Sequence, residues 1–428
     1  MEIVFVMSTT AAKAKEAWNP SQRRTLFAGV GSWTLDAFDF FVLVFVLTAM
    51  AKDFGITIVT ATLAITFTLV MRPVGAILFG MLAERLGRKP VLVTNIVIFA
   101  VIELATAGAP NFTTFFVLRL IYGIAMGGIW GVASALTMES VPTRSRGVVS
   151  GLFQAGYPLG YLLASITFGL LMPVIGWRGL FIIGVVPILL AVFIFFKVDE
   201  SPIWLASRGK TGQKAKAAFW PAVRAQWPIL AFAIVLMASF NYFSHGTQDL
   251  YPTFLLVQHG FAVSTVSIIA ICYNIAAILG GLLAGTLSER YGRKRIIIIF
   301  AALALPCIPL WAFASGSLWL GVGAFLMQFM VQGAWGVIPV YLNELVPEGT
   351  RAVLPGFVYQ LGNVIASPNA TIQALIAKGN GGNYGLALAI VAGSVAIIIV
   401  VLMSFSRETQ GKNFANTAPT APTAPATG

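Results

Sequence analysis

The sequence predicts an all-α integral membrane protein with twelve transmembrane helices in two six-helix halves. Three observations lead to this fold class. Of the 428 residues, 58% are hydrophobic and only 10% are charged. Twelve mostly apolar runs of about 20 residues have the length that a helix needs to cross roughly 30 Å of hydrocarbon. Several motifs also occur twice with the same separation along the chain, for example the motifs that begin at Gly80 and Gly285. This constant separation indicates a duplicated unit.

The twelve apolar runs are numbered as spans 1 to 12. Spans 1 to 6 lie at 25–51, 59–82, 91–109, 112–136, 147–171 and 178–197. Spans 7 to 12 lie at 228–257, 264–287, 295–314, 317–341, 352–376 and 383–405. A membrane β-barrel is not expected, because its strands would be short and would alternate polar and apolar residues.

The spans divide the chain into five parts. They are an N-terminal arm at 1–24, a six-helix bundle at 25–197, a linker at 198–227, a second bundle at 228–406 and a tail at 407–428. The initial segment MEIVFVM is too short for the apolar region of a signal peptide, so no cleaved signal is expected. The Thr/Ala/Pro-rich tail is expected to be disordered, because it lacks the apolar residues of a packed core.

A repeated ten-residue motif lies at the ends of spans 2 and 8. It reads GMLAERLGRK at 80–89 and GTLSERYGRK at 285–294. Its key residues are Gly80, Glu84, Arg85, Gly87 and Arg88, and in the second copy Gly285, Glu289, Arg290, Gly292 and Arg293. Arginines at the end of a helix can bind its last carbonyl groups and favour the negative end of its dipole. Glu84 and Glu289 are expected to pair with nearby arginines.

Basic residues orient the spans in the membrane. The loops after spans 2, 4, 6, 8 and 10 are rich in Lys and Arg, whereas the opposite loops hold only Lys52, Arg178 and Lys378. The positive-inside rule places both termini and the linker in the cytoplasm, so we expect a multi-pass protein of the cytoplasmic membrane. This topology and attraction to lipid headgroups explain the net charge of +12. Nucleic-acid binding is not needed to explain it.

The repeated motif, together with Arg119-x-x-x-Gly123 in span 4, resembles signatures of the major facilitator superfamily. The segments that begin at Asp199 and Arg407 resemble short sequence motifs found at the end of each six-helix half in sugar and organic-acid members of that family. The resemblance covers nearly the whole chain. It implies that the contacts of the repeated motifs stabilise one conformation of the transporter and break when that conformation changes during transport. The alternative is that they are only basic anchors at the cytoplasmic face.

Polar side chains inside membrane spans are costly and usually face a cavity or a partner, so we look for the function among them. They are Asp36, Asp39, Arg72, Glu103, Arg119, Asn241, His245, Gln248, Asp249, Gln360 and Asn363. Span 7 is the densest, and four of its residues, Asn241, His245, Gln248 and Asp249, share one helical stripe. Asp36 lies on the equivalent stripe of span 1, since the shift along the chain that relates Gly80 to Gly285 also relates Asp36 to Asn241.

Span 7 resembles the motif Asn-x-x-Ser/Thr-His-x-Ser/Thr-Gln-Asp-x-x-x-Thr of fungal lactate and pyruvate proton symporters, within the sialate:proton symporter branch. All seven specified positions match, from Asn241 to Thr253. The resemblance implies a proton-coupled permease for short monocarboxylates. It also implies a polar network of Asn241, His245 and Asp249 and a substrate contact at Gln248. The family's arginine in span 2 and its Gln-x-x-Asn pair in span 11 are matched by Arg72, Gln360 and Asn363.

The residue types support this chemistry independently. The planar guanidinium of Arg72 matches a carboxylate in bidentate fashion, unless Arg72 is only a brace beside Pro73. Gln248, Gln360 and Asn363 can bind the other substrate oxygens, or they can join helices.

Other polar residues have two interpretations each. His245 and Asp249, one turn apart, can share a proton or form a structural network. Asp36 and Asp39 can take part in proton transfer or balance Arg72 and Arg119. Tyr157 and Tyr161 can line the cavity, although helix packing explains them as well. Glu103 is expected to reach the membrane interface.

Other classes of protein fit the sequence less well. There is no phosphate loop, metal-ligand cluster or plausible catalytic triad, and the chain contains only two histidines, so an enzyme, a metal site and a bound cofactor are not expected. Cys272 and Cys307 are expected to be buried small hydrophobes. The expected partners are protons, a small carboxylate and membrane lipids, and the protein is expected to be monomeric. The alternative substrate is a larger acid, such as a sialic, sugar or aromatic acid.

Overall fold

The computed structural model describes residues 18–141, 149, 152–207, 224, 227–345 and 354–409. In these residues all the regular elements are helices, so the predicted all-α fold class is confirmed. The chain forms two compact units, residues 1–216 and 217–428. The basic residues predicted at 142–148, in most of the linker and at 351 lie outside the described residues.

In the first unit, spans 1 to 4 are single helices: Pro20–Asp53, Ile58–Leu86, Arg88–Ala107 and Phe112–Ser140. Three of them begin at a polar residue, Asn19, Thr57 or Asn111, whose side chain accepts a hydrogen bond from the first-turn backbone. Such caps satisfy amides that have no partner inside the helix. Local sequence therefore determines where these helices start.

Spans 5 and 6 are formed by the helices Gly156–Ile183 and Pro187–Lys197. The first of them is interrupted at Gly176, which has φ 66° and ψ −178°. A positive φ is accessible to glycine because it has no β-carbon. The chain bends at this point, close to the predicted start of span 6 at residue 178.

In the second unit, spans 8, 10 and 12 are the helices Val263–Tyr291, Ser317–Leu345 and Tyr384–Phe405. Spans 7, 9 and 11 are each divided into shorter helical pieces. Span 7 consists of Trp227–Gln248, Tyr251–Thr253 and the π-helix Phe254–Gln258. Span 9 consists of Arg293–Ala304, the 3₁₀-helix Leu305–Cys307 and Ile308–Ala312. Span 11 consists of Leu354–Ala366 and Asn369–Gly379. Pro252, Pro306, Pro309 and Pro368 lie at or beside the breaks, where their missing N–H groups weaken the helical ladder.

Ten helical stretches in the described residues are long and apolar enough to cross a membrane. One of them, Leu152–Lys197, has 46 residues and contains spans 5 and 6. Span 11 is divided at Pro368 into two helices, each shorter than one crossing. The ten stretches and this divided span correspond to the twelve predicted spans.

Glycines allow close helix contacts at equivalent places in the two units. A β-carbon on Gly75 would overlap the carbonyl group of Ile124, and one on Gly280 would overlap that of Phe329. Small residues allow this approach of backbones in membrane proteins. Because both pairs are related by the offset of the repeated motif, the duplication extends to helix packing.

The two cysteines differ in their surroundings. Cys307 is buried as expected, whereas Cys272 is exposed. The expectation for Cys272 was wrong because an apolar span has exposed positions as well as packed ones, and residue 272 of span 8 is exposed.

Candidate functional site

Three charged side chains are buried without direct partners inside the first unit. Asp36, Asp39 and Arg72 are each at most 1% exposed. Neither oxygen of either carboxyl group, nor Nε and Nη2 of Arg72, has a hydrogen-bond partner within the described part of the chain. Arg72 Cζ lies 5.9 Å from the centre of the Trp33 ring. Buried polar groups are normally satisfied by protein, water or a ligand, so this interior is a candidate binding site.

Arg119 of span 4 has a different environment. Its Nη1 donates to Glu103 Oε1 at 3.0 Å, and its Nη2 donates to Thr106 Oγ1 at 2.9 Å. Its guanidinium lies 4.3 Å from the centre of the Tyr122 ring. The expectation that Glu103 reaches the membrane interface was wrong, because Arg119 holds this carboxylate inside the unit. Glu103, rather than either aspartate, is the direct ionic partner of Arg119.

The two tyrosines of span 5 lie beside aromatic rings of span 1. Tyr157 is half-buried, with its ring 5.7 Å from that of Trp33 and 5.2 Å from that of Phe41. Tyr161 is fully buried and stacks on Phe41 at 3.8 Å. Tyr161 therefore packs helices together, whereas Tyr157 lies next to the Trp33 and Arg72 pair.

In the second unit, His245 and Asp249 form a buried contact. Nδ1 of His245 lies 3.1 Å from both Oδ1 and Oδ2 of Asp249. The first helix of span 7 ends at Gln248, so Asp249 occupies the break between helical pieces. This geometry allows a proton to lie between the imidazole and the carboxylate.

A glutamine of span 10 contacts the span 7 stripe and was absent from the sequence-based candidates. Gln328 Oε1 accepts a hydrogen bond from Gln248 Nε2 at 3.0 Å. Gln328 Nε2 donates to Oγ1 and to the backbone oxygen of Thr247, at 3.0 and 3.3 Å. One turn further along, Gln332 Nε2 donates to Ser244 Oγ at 3.1 Å. Two amides one turn apart in an apolar span were a signal that could have identified this pair.

These contacts determine which way the Gln248 amide points. A backbone carbonyl oxygen only accepts hydrogen bonds, so the Gln328 atom facing the Thr247 carbonyl must be Nε2. Oε1 of Gln328 therefore faces Gln248, which must present its own Nε2. The carbonyl oxygen of Gln248 then lies on the side of Ser244 Oγ, 3.5 Å away.

Other buried amides lie in spans 7 and 11. Asn363 Nδ2 is 3.5 Å from Gln360 Oε1, and Asn363 Oδ1 and Asn241 Nδ2 have no partner among the residues described. Beyond the break in span 11, Gln373 Nε2 donates to the carbonyl oxygen of Gly246 at 2.7 Å. Gln373 thus binds span 11 to the turn of span 7 between His245 and Asp249, and sequence reasoning did not identify it.

The repeated motif in the first unit is held by acidic residues from elsewhere in the chain. Arg88 Nη1 donates to the Ala83 carbonyl at 2.9 Å, and its Nη2 lies 3.3 Å from Glu139 Oε1. The Glu200 carboxylate accepts from the backbone amides of Arg88 and Lys89 at 3.0 and 3.1 Å. It therefore caps the positive end of the span 3 helix.

The second copy has the same arrangement. Arg293 Nη2 lies 3.6 Å from Glu344 Oε1. The Glu408 carboxylate accepts from the backbone amides of Arg293 and Lys294 at 2.9 and 3.2 Å. Ser201 binds Glu139 in the first unit, and Thr409 binds Glu344 in the second. Each motif is thereby tied to the end of its own unit.

The remaining motif residues have separate roles. Gly87 and Gly292 have φ values of 109° and 100°, which favour glycine between two helices. A β-carbon on Gly80 or Gly285 would meet open space. Arg85 and Arg290 are exposed. The side chain of Glu84 lies outside the described residues, so its expected pairing stays a prediction, as does that of Glu289.

Comparisons with known proteins agree with this architecture. The family model of the Major Facilitator Superfamily matches residues 31–364 and 250–427. A carboxylic acid transporter protein homolog of Saccharomyces cerevisiae is 32% identical over 82% of this chain and 61% of that protein, so the chain covers less than two thirds of that relative. The sialic acid transporter NanX of Escherichia coli is 27% identical over 92% of this chain and 96% of its own length.

Among solved structures, the xylose transporter XylE from E. coli has a TM-score of 0.76 and 16% identity. The match covers 92% of this chain and 100% of that one. At this level of identity, the likeness concerns the fold alone.

Proposed function

The chain belongs to the Major Facilitator Superfamily, and from this premise we propose that it is a proton-coupled symporter of short monocarboxylates such as lactate and pyruvate. It is a multi-pass membrane transporter rather than an enzyme. One observation carries the choice of an anionic substrate: Arg72 is buried with unpartnered guanidinium nitrogens. Asp36 interacts electrostatically with Arg72 but accepts no hydrogen bond from Nε or Nη2. A buried cation with free N–H donors is suited to bind a carboxylate.

The substrate carboxylate is assigned to Arg72. A guanidinium offers two parallel N–H donors that match the two oxygens of a carboxylate. Tyr157 lies beside this place through its contact with Trp33. For the second unit taken by itself, the resemblance of its span 7 and span 11 motifs leads us to propose substrate contacts at Gln248, Gln360 and Asn363. Asn241 supports them on the same stripe.

Proton coupling is assigned to two places. In the second unit, the His245–Asp249 contact of 3.1 Å can take up a proton, because the imidazole nitrogen and the carboxylate oxygens can each bind one. In the first unit, the unpartnered carboxyl groups of Asp36 and Asp39 are further candidates. In the first unit, protonation of Asp36 removes the negative charge that otherwise offsets Arg72. Arg72 and the bound anion then leave no net buried charge when the loaded site is enclosed.

Transport then proceeds by alternating access, as in other carriers built from repeated halves. The Arg88–Glu139 and Arg293–Glu344 contacts are proposed to hold one state and to break during the cycle. The positive-inside pattern supports a cytoplasmic-membrane location with both termini in the cytoplasm. The proposed functional unit is a monomer.

A larger organic acid is the second candidate substrate. The observation that favours it is the similarity to NanX, a sialic acid transporter, over 96% of that protein's length. Sugar acids and aromatic acids belong to the same alternative. The span 7 motif, from Asn241 to Thr253, favours the short monocarboxylate.

Uptake into liposomes tests the proposal. Purified protein is reconstituted, and uptake of labelled L-lactate, pyruvate and sialic acid is followed with and without an inward proton gradient. We expect gradient-stimulated uptake of lactate and pyruvate. Uptake of sialic acid with none of the short acids would overturn the first proposal in favour of the second.

Replacing His245 by alanine is expected to remove the stimulation of uptake by the proton gradient. The substitution removes the group that shares a proton with Asp249. His259→Ala is the matched control, because His259 is the other histidine of the chain and lies beyond the span 7 helices. Unchanged stimulation in the His245 variant would contradict the assigned role.

Replacing Gln328 by leucine is expected to raise KM for lactate about 5-fold, which corresponds to roughly 1 kcal/mol. Without Gln328, the amide of Gln248 loses the partner that determines its orientation. Gln332→Leu is the control, because Gln332 binds Ser244 and leaves the Gln248–Gln328 bond intact. The assignment fails if both variants have equal KM values in initial-rate uptake.

A further inference from the structure

Trp33 carries a buried hydrogen-bond donor that no role assigned above uses. Its side chain is 2% exposed, and the indole Nε1 has no hydrogen-bond partner in the described part of the first unit. Such orphan donors are rare in folded proteins and call for a bound acceptor. A tryptophan could also be buried purely for packing, but packing alone does not explain an unsatisfied N–H group.

The neighbour of this indole is a second side chain with unpartnered donors. Arg72 Cζ lies 5.9 Å from the centre of the Trp33 ring, within the range of a cation–π contact. Nε and Nη2 of Arg72 are also without partners among the described residues. Two side chains from spans 1 and 2 therefore bring three buried N–H-bearing nitrogens, all without acceptors, into one region.

The acidic side chain closest in sequence does not satisfy these donors. Asp36 lies one turn after Trp33 on the same helix, yet neither of its oxygens has a partner in the part of the chain described. Neighbouring aromatic rings pack on the indole, which stacks on Phe153 at 6.2 Å and on Tyr157 at 5.7 Å. The N–H group thus belongs to a packed ring whose orientation is restricted by these contacts.

We propose that the indole N–H of Trp33 is a second substrate donor, which binds the same ionised carboxylate as Arg72. This inference rests on the proposed function and identifies how the anion is recognised. An indole and a guanidinium can donate hydrogen bonds but cannot accept them. Together they favour an ionised carboxylate, whose oxygens only accept hydrogen bonds. They disfavour an amide of the same size, because its NH₂ group is a donor and would face other donors.

The first measurement follows the indole directly in the wild-type protein. Tryptophan labelled with ¹⁵N in the indole ring gives an N–H resonance for each ring, and Trp33→Phe or Trp33→Tyr, whichever folds, assigns the Trp33 signal. Saturating L-lactate is expected to shift this proton resonance downfield, because a bond to an anion is stronger than one to a neutral group. Lactamide at the same concentration is expected to leave it unmoved.

The second measurement is uptake by the Trp33→Phe variant, which keeps an aromatic ring and loses the N–H group. KM for lactate is expected to rise about 10-fold, the lower end of the effect of a hydrogen bond to a charged group, with kcat nearly unchanged. Trp130→Phe is the matched control, because Trp130 packs on the same Phe153 at 6.5 Å, and its KM is expected to stay within about twofold of wild type.

The outcomes separate this inference from the proposed function. If wild-type protein carries lactate but the Trp33 signal does not shift and the Trp33→Phe KM matches that of the control, the inference is wrong and the proposed function stands. If sialic acid alone is carried and shifts the Trp33 signal, the short-acid proposal fails while the carboxylate role of Trp33 holds. If no carried acid shifts the signal, the role of Trp33 is refuted.

Discussion

Replacing Arg72 by alanine is expected to lower kcat/KM for lactate about 100-fold or more. Two charge-assisted hydrogen bonds to the substrate carboxylate are lost, and each contributes on the order of 1.5–3 kcal/mol. Arg72→Lys is expected to retain part of the activity, because it keeps the charge but not the planar fork. Initial-rate uptake of labelled lactate into liposomes, at equal protein density, measures both effects.

Folding is expected to survive this substitution. Because Arg72 Nε and Nη2 have no partner in the described residues, removing the side chain breaks no hydrogen bond of these atoms and relieves the burial of a charge. This gain offsets the loss of packing and of the cation–π contact with Trp33, so the thermal stability of Arg72→Ala in detergent should stay close to that of wild type. Arg178→Ala is the matched control, since the Arg178–Asp53 pair is 38% and 46% exposed, and normal uptake is expected. An Arg72→Ala protein that is folded and fully active would refute the anion site.

The second large effect is expected on stability, from Glu103→Ala. This change leaves the Arg119 cation buried without its carboxylate partner, which lies at 3.0 Å in a pair that is at most 1% exposed. Breaking one side of a buried pair costs about 3–5 kcal/mol. Thermal and denaturant unfolding in detergent should show a lower midpoint, measured beside Asp53→Ala, whose exposed pair is worth at most about 1 kcal/mol.

The double variant Glu103→Ala/Arg119→Met distinguishes loss of the pair from loss of packing. Methionine fills much of the volume of arginine without a charge, so most of the lost stability should return, because a buried pair is often no better than apolar packing. If the double variant is as unstable as Glu103→Ala, then packing around the glutamate, and not the uncompensated charge, explains the effect.

Sequence reasoning was most successful where one helix decides the outcome. The stripe of Asn241, His245, Gln248 and Asp249 follows from helical spacing alone, and all four side chains are buried in the structure. It was least successful where two helices meet. Glu103 was assigned to the membrane interface, and Gln328 was not considered, because the partner of each lies on another helix.

The sequence by itself determined the all-α class, the approximate positions of the spans and the duplication of the halves. These depend on composition, on the length of apolar runs and on repeated motifs, all of which are local or periodic along the chain. Only the tertiary structure decided the pairing of Arg119 with Glu103, the orientation of Gln248 by Gln328 and the lack of a partner for Trp33 and Arg72. Such pairings depend on how far neighbouring helices are shifted along their axes and how they are rotated. Close backbone contacts, such as that of Gly127 with the Arg72 carbonyl, determine this shift and rotation.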